Sequence, residues 1–372
     1  MKGIVLLHAG AGYHSLSKEG LYGELCDKAC RRGKSVLEDG GSAQSAVVEV
    51  MKVLEDSSLT NAGFGSSLSI DGEVECDASL MTSDGYYGSV AALRSVQHPI
   101  AVASKLLEKQ LDPPADGRIP PSCLAGEGAE LFAREHNIPL VDPSALISEA
   151  AQSSYEKYLS IIEKYNPRKR RAESSGNSDA PSSKSTCLDT GETDKVLDTV
   201  GAICVDSSGF IACALSSGGI ALKHQGRVGQ AAMVGSGCWV NEHAAVATTG
   251  CGEQLMRTML AKTLADRLQT ATGDSDEELN LVKVERTFKQ DFIESRTLQN
   301  DRDKFGGAII VLLDTPNTQV ELLWAHTTKS MCVSYMSTTS DQPTVLISRL
   351  PPKKVSQTSA CSGVTINLGD KR

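Results

Sequence analysis

At Asp198-Thr199-Val200-Gly201-Ala202 a stretch almost without apolar residues ends, and the apolar run Ile203-Cys204-Val205 begins. From Pro167 to Lys195 the chain carries Arg168-Lys169-Arg170-Arg171, then mostly Glu, Ser, Gly, Asn, Asp, Pro and Thr. Such a segment cannot bury enough surface to offset its ordering entropy, which predicts a disordered tether over about 167–197 between two foldable parts. Thr199 then opens a strand directly after an acid. If the Asp198–Thr199 bond breaks, Thr199 gains a free α-amino group beside its own hydroxyl. One residue then holds nucleophile and base, since a terminal amine titrates at about 7.7–8.0. Taken alone, the same residues also read as a turn before an ordinary strand.

A chain of 372 residues can bury a large core. Its net charge of −9 argues against whole-surface attraction to nucleic acid or membranes. The opening run Ile4-Val5-Leu6-Leu7 is too short for a signal peptide and reads as a buried first strand, and no apolar stretch is long enough to cross a bilayer. Eleven cysteines, an odd number without C-x-x-C spacing, suit a reducing compartment. A soluble intracellular protein is expected. The histidines are dispersed and mark no metal constellation.

Apolar spacing predicts helices over Glu19–Leu37, Ser42–Glu55, Pro99–Lys109, Cys123–His136 and Pro143–Lys164. Strands are expected at Ser66–Ile70, Val74–Met81 and Tyr86–Ala92, separated by the turn signals Asp71-Gly72 and Asp84-Gly85. Beyond the tether, Thr199–Val205 and Phe210–Leu215 are joined by Asp206-Ser207-Ser208-Gly209 as a hairpin. Short strands at Met233–Val234 and Ala244–Thr248 and helices over Gln254–Leu268 and Asp276–Thr297 follow. The last strands are Ala308–Leu313, Val320–Trp324, Met331–Met336 and Thr344–Ile347. Strands grouped in both halves with helices around them predict two stacked sheets flanked by helices.

The hairpin returns Ser217 toward Thr199, where a hydroxyl could donate to Thr199 Oγ or relay a proton; a plain turn is the alternative. Gly226-Arg227-Val228-Gly229 sets a guanidinium fork between two glycines, a pattern that fits a carboxylate as well as a solvated loop. Thr248-Thr249-Gly250-Cys251-Gly252-Glu253 is a strand-to-helix turn that could form an oxyanion hole or simply cap a helix. Cys251 lacks any Cys-His signature around it. His8-Ala9-Gly10-Ala11-Gly12 and Asn61-Ala62-Gly63-Phe64-Gly65-Ser66 read, in isolation, as glycine-rich turns.

In order, the blocks H-x-G-A-G, N-A-G-x-G-S, G-x-V-E-x-D-A-S-x-M, T-V-G-A, S-G-G, G-R-V-G and T-G-x-G-E run from about His8 to Glu253. Their combination resembles the asparaginase type 2 branch of the N-terminal nucleophile hydrolases. Further blocks, among them A-L-K-H-x-G-R-V-G-Q-A-A, T-T-K-S-M-C-V-x-Y-M and I-S-R-L-P-P, are similar to the threonine aspartase (taspase) group within it. The resemblance implies an α/β fold, an αββα sandwich made as a precursor that cuts itself before Thr199. It implies an α piece (1–198) and a β piece (199–372) that stay together, as an (αβ)2 assembly. By the same resemblance Thr199 is the nucleophile, Ser217 its hydroxyl neighbour, and Thr249 with Gly250 the oxyanion stabilisers. Arg227 binds the substrate carboxylate and Lys18 is a second cation for an aspartate side chain. The Gly10 carbonyl orients Thr199, and Asn61 supports the site. No cofactor is implied beyond a monovalent ion of unknown position.

Two departures from the small-molecule asparaginases bear on substrate. Those enzymes typically read G-R-V-G-D, the aspartate gripping a free α-amino group, whereas Gln230 stands here; and Asp198 replaces their usual glycine before the nucleophile. The resemblance thus points to an endopeptidase that cuts proteins after aspartate, with a general transcription factor subunit and trithorax-type histone methyltransferases as partners. Arg168–Arg171 on an exposed tether would serve as a nuclear-import signal, giving a nuclear and cytoplasmic distribution. The competing expectations are an L-asparaginase or β-aspartyl peptidase and a catalytically silent nuclear scaffold.

Overall fold

The structure, a computed structural model, describes residues 2–164, 199–269, 278–314 and 318–369. The tether, its basic cluster, Asp198 and the start of the helix expected from Asp276 lie outside the described residues.

Thirteen strands are present among the described residues: β1 (Ile4–Gly12), β2 (Cys76–Thr82), β3 (Tyr87–Leu93), β4 (Cys123–Ala125), β5 (Val200–Val205), β6 (Ile211–Ser217), β7 (Cys238–Val240), β8 (Ala244–Gly250), β9 (Gly306–Asp314), β10 (Gln319–His326), β11 (Ser330–Ser337), β12 (Thr344–Arg349) and β13 (Ala360–Asn367). They form an eight-stranded sheet in the order β12-β11-β1-β5-β6-β2-β3-β4 and a five-stranded sheet in the order β13-β10-β9-β8-β7. β5, which follows Thr199, sits between β1 and β6, so segments from both sides of residue 198 share one sheet.

Period-two alternation explains the stacking. Ile4 and Leu6 of β1, Ile203 of β5, and Cys213 and Leu215 of β6 turn inward against Ala245, Ala247, Ile309, Val311, Leu322 and Trp324 of the second sheet. Val5, Leu7, Val200, Ala202 and Ala214 turn outward beneath three helices, α1 (Glu19–Glu38), α2 (Ala43–Glu55) and α3 (Pro99–Leu111). The outer face of the second sheet carries Val246, Ile310 and Leu323 against Leu260, Leu264, Phe288 and Phe292. Strands covered on both faces read as unbroken apolar runs, which is why β1 and β5 are buried throughout. Each fully buried Leu, Ile or Phe contributes about 1.5–3 kcal/mol, so the layers are held chiefly by apolar burial. The fold is the αββα sandwich.

α1 buries Tyr22, Cys26, Ala29, Cys30, Gly33 and Leu37 on one stripe. A methyl group at Gly33 would lie 2.5 Å from Val50 and 2.9 Å from Val5, so this glycine sets how closely α1 approaches α2 and β1. Ser42 caps α2, its hydroxyl accepting from Ser45 N–H at 3.1 Å.

Several expected elements differ. Ser66–Ile70 forms no strand; only Leu68 bridges Val74. Met233–Val234 lies in an exposed turn, and the strand comes later, at β7. Cys123 opens β4, and the helix expected from it runs over Gly126–Glu135 as α4. Pro143–Lys164 divides into a 3-10 turn (Pro143–Leu146) and α5 (Glu149–Lys164). Gln254–Leu268 is two helices, α6 (Gly252–Thr258) and α7 (Leu260–Gln269), broken at Met259 with φ +47°. The last helix, α8 (Asn280–Thr287), passes into a π turn over Phe288–Ile293. β13 had no counterpart in the sequence reading.

Candidate active site

Pairing of β5 with β6 sets Val200 opposite Ser216 and carries Ser217 to the side of Thr199. The connecting turn is tied by Asp206 Oδ1, which accepts from Ser208 N–H at 2.9 Å, with Gly209 at φ +88°. Thr199 is 3 % exposed and its hydroxyl has two partners. It accepts from Gln230 Nε2 at 2.8 Å and donates to Ser217 Oγ at 3.1 Å. Ser217 Oγ also accepts from Gly219 N–H at 3.1 Å. The side-chain amide leaves the Thr199 proton pointed at a second hydroxyl.

A cleft over Thr199 is lined by Asn61, Ser217, Gly219, Arg227, Gln230, Gly250 and Gly252, with Ile220 beside them. Asn61 braces it: its Nδ2 donates to Gly219 O at 2.6 Å, its Oδ1 accepts from Ser67 N–H at 2.8 Å, and its carbonyl accepts from Gly218 N–H at 2.8 Å. Gly250, at φ +135°, ends β8 opposite Gly306; a Cβ there would meet Phe305 O at 2.4 Å, so no other residue fits. Thr249 is fully buried behind it, its hydroxyl accepting from Ala11 N–H at 3.2 Å. Gly10, at φ +103°, sits at the bulge of β1 against β11. Two residues beyond the pair His8–Gly201, β1 reaches Gly10 and its neighbour reaches Thr199.

Arg227 faces the cleft from a loop that is held from below. Glu75 Oε2 accepts from Gly226 N–H at 2.8 Å, and Asp77 Oδ2 accepts from Gly229 N–H at 2.7 Å. The acids of the G-x-V-E-x-D block therefore grip the two glycines that flank the arginine. Lys223, 2 % exposed, donates to Glu75 O at 2.6 Å. Burial raises the Asp77 carboxyl, with Lys223 opposing, and burial lowers the Lys223 ammonium, with Asp77 opposing. Arg227 itself is engaged by Glu253, Nε to Oε1 at 2.9 Å and Nη2 to Oε2 at 2.8 Å.

Of the expected site residues, Thr199, Ser217, Arg227, Gly250 and Asn61 line one cleft; Thr249 and Gly10 stand behind or beside it. Lys18 is not brought in: it is exposed on the 3-10 turn Leu16–Lys18 and absent from the cleft wall. Burial raises the Cys251 thiol, and its sulfur lies 3.9 Å from the Glu253 carboxylate, so a thiolate is disfavoured there. Glu253, Glu75, Asp77 and Lys223 acquired no role from sequence. For Glu75 and Asp77 a signal was present: acids at i and i+2 around the start of β2, matched to glycines three apart. Among the described residues no group of three His, Cys, Asp or Glu side chains could hold a metal.

A family model for asparaginase matches residues 1–346. The chain belongs to the asparaginase family. Among its relatives in this family is the isoaspartyl peptidase/L-asparaginase of Xenopus laevis, 35 % identical over 281 residues, covering 75 % of this chain and 79 % of that protein. The protein of that name from Danio rerio is 35 % identical over 265 residues, 70 % of this chain and 74 % of its own. The one from Mus musculus is 34 % identical over 263 residues, 70 % of each. The family expected from the motifs is the one found, and family membership makes this an N-terminal nucleophile hydrolase. These three relatives carry the name isoaspartyl peptidase/L-asparaginase.

Proposed function

We propose that the chain is an autoprocessing threonine endopeptidase that cuts proteins after aspartate. The observation that carries this reading is Gln230. Where small-molecule asparaginases use an aspartate to hold a free ammonium, this chain has a neutral amide that donates to the nucleophile. A substrate whose nitrogen is already a peptide amide makes no demand for a negative charge there. The names of the relatives favour a second reading, isoaspartyl peptidase/L-asparaginase, which would use the same nucleophile and the same arginine.

In maturation, Thr199 Oγ attacks the Asp198 carbonyl, its proton passing toward Ser217 Oγ. The Asp198–Thr199 C–N bond breaks, the nitrogen leaves as the α-amine of Thr199, and water hydrolyses the resulting ester. In turnover that amine takes the hydroxyl proton as Oγ attacks the substrate carbonyl, and passes it to the leaving nitrogen as the C–N bond breaks. Water, deprotonated by the same amine, then hydrolyses the acyl ester and restores the Thr199 hydroxyl. Gly250 with Thr249 stabilises the oxyanion, and Arg227 holds the aspartate carboxylate. Losing one oxyanion donor typically raises the barrier by about 3–4 kcal/mol. Lys18 keeps a part only if its turn swings over the cleft when substrate binds. On this reading the substrates are nuclear regulators, a general transcription factor subunit and trithorax-type methyltransferases among them, reached through the basic cluster Arg168–Arg171. The two pieces remain associated, as (αβ)2.

Rates on an Asp-X peptide, free asparagine and a β-aspartyl dipeptide test the assignment. Preferential hydrolysis of the Asp-X peptide is expected; hydrolysis confined to the two small substrates establishes the second reading.

A further inference from the structure

Glu253 opens α6 directly after the glycine turn of the cleft, and its carboxylate takes one side of the Arg227 guanidinium, the edge formed by Nε and Nη2. A planar fork has a second such edge, formed by Nη1 and the other N–H of Nη2. That edge faces glycines. A methyl group on Gly219 would lie 3.0 Å from Nη1, and one on Gly252 would lie 2.8 Å from Nη2; both glycines line the cleft. A methyl group on Gly229 would likewise lie 2.9 Å from Nη1. Gln230 Oε1, 2.7 Å from the same Gly252 methyl position, and Asp77 Oδ2, 3.5 Å from that of Gly229, border this edge, while Gly219 and Gly252 open it to the cleft.

Two arrangements are compatible with a carboxylate already sitting on a substrate-binding arginine. Glu253 could be a competitor that the substrate's carboxylate must displace, or a brace that stays in place and aims the free edge. The geometry favours the brace. The two acids use different edges of the fork, so the substrate's carboxylate has two N–H groups to meet without removing Glu253. The Arg227 side chain is 14 % exposed and that of Glu253 46 %, which puts the glutamate at the rim and the arginine inside. Lys223 Nζ lies 3.3 Å from the same Gly219 methyl position, so a second buried ammonium borders the Nη1 side of the fork.

We infer that Glu253 is a positioning residue: it clamps Arg227 side-on so that the end of the fork is presented to the substrate's carboxylate. The inference rests on Arg227 being the carboxylate binder, as in the function proposed above. It needs only that the substrate be an anion, which holds for a β-aspartyl dipeptide as well as for an Asp-X peptide.

The test measures kcat and KM separately for Glu253→Gln and Glu253→Asp, the first keeping length without charge and the second keeping charge without reach. Self-processing into two fragments reports that each variant has folded its site. For both variants the expected result is a KM for the Asp-X peptide raised by about tenfold or more with kcat within about twofold. On an Arg227→Lys background, the added Glu253→Gln change should move KM by less than about twofold, because Glu253 acts through the arginine. A KM that falls marks Glu253 as a competitor and overturns the inference, as does an unchanged KM or a loss confined to kcat. If the unaltered enzyme hydrolyses only a β-aspartyl dipeptide, the endopeptidase reading fails on its own, and the same KM comparison on that dipeptide still decides the role of Glu253.

Discussion

Gln230 Nε2 donates to Thr199 Oγ1 at 2.8 Å, so the residue that replaces the expected aspartate of the small-substrate enzymes is hydrogen-bonded to the nucleophile itself. Gln230 is 3 % exposed, and a carboxylate there would face the hydroxyl with acceptors only. Replacing it by aspartate withdraws the donor and adds an anion suited to a free ammonium. Gln230→Asp is therefore expected to lower Asp-X peptide hydrolysis and to raise the asparagine-to-peptide rate ratio by about tenfold or more. Steady-state rates on both substrates check it, and a ratio that does not move removes Gln230 from substrate choice.

Arg227 meets carboxylates through a fork that a lysine cannot copy. Arg227→Lys is expected to keep self-cleavage, in which the scissile bond is already tethered beside Thr199, and to lose about 1.5–3 kcal/mol of substrate binding, roughly 10- to 150-fold in kcat/KM. Unchanged peptide hydrolysis would exclude the carboxylate role.

Asp77 accepts from Gly229 N–H at 2.7 Å and from Ala92 N–H at 3.0 Å, with its side chain fully buried. In Asp77→Asn one amide N–H must face a backbone N–H, and the anion that offsets the buried Lys223 is gone. A loss of about 1–3 kcal/mol in unfolding free energy is expected by denaturant titration. Peptide KM should rise with it, since the Arg227 loop hangs on the same bond. A variant as stable as the parent would show that the loop is held elsewhere.

His8 is fully buried beside Gly201, and burial lowers its imidazole to about 3. Burial likewise lowers His326 to about 4. Both folded values lie below the ordinary value of 6.5, so the unfolded chain binds protons that the folded one refuses. The stability present above pH 6.5 is then lost as pH falls toward 4, by up to about 1.4 kcal/mol per unit for each histidine. Melting temperature should drop steadily across pH 6.5 to 4.5. A His8→Leu variant, if it folds, should show a shallower drop; an unchanged slope would assign the acid sensitivity to other groups.

Long, regular elements were legible in the sequence. β1, β5, α1 and α2 follow from unbroken apolar runs and a single helical stripe, and the Thr199–Ser217 contact follows from hairpin geometry. What escaped were features set by tertiary contacts. β13 carries Ser362, Gly363 and Thr365 and is a strand because β10 offers it an edge. The break at Met259 comes from the chain turning between α6 and α7, with no glycine or proline to announce it. Ser66–Ile70 has strand-like residues, yet its neighbourhood is claimed by Asn61, whose bonds shape the cleft instead. Within the site, residue types that touch the reacting atoms stood out by their chemistry. Residues that hold other residues, such as Glu75, Asp77 and Glu253, look like ordinary surface acids until the fold brings glycine N–H groups and a guanidinium to them.

The measurement that bears most directly on all of this is the mass and N-terminal sequence of the purified protein, taken alongside its rate on an Asp-X peptide. Two fragments, the second beginning at Thr199, should appear together with activity, and Thr199→Ala should yield a single inactive chain. An undivided chain that hydrolyses the peptide at full rate, or a Thr199→Ala protein that still divides, would contradict the account.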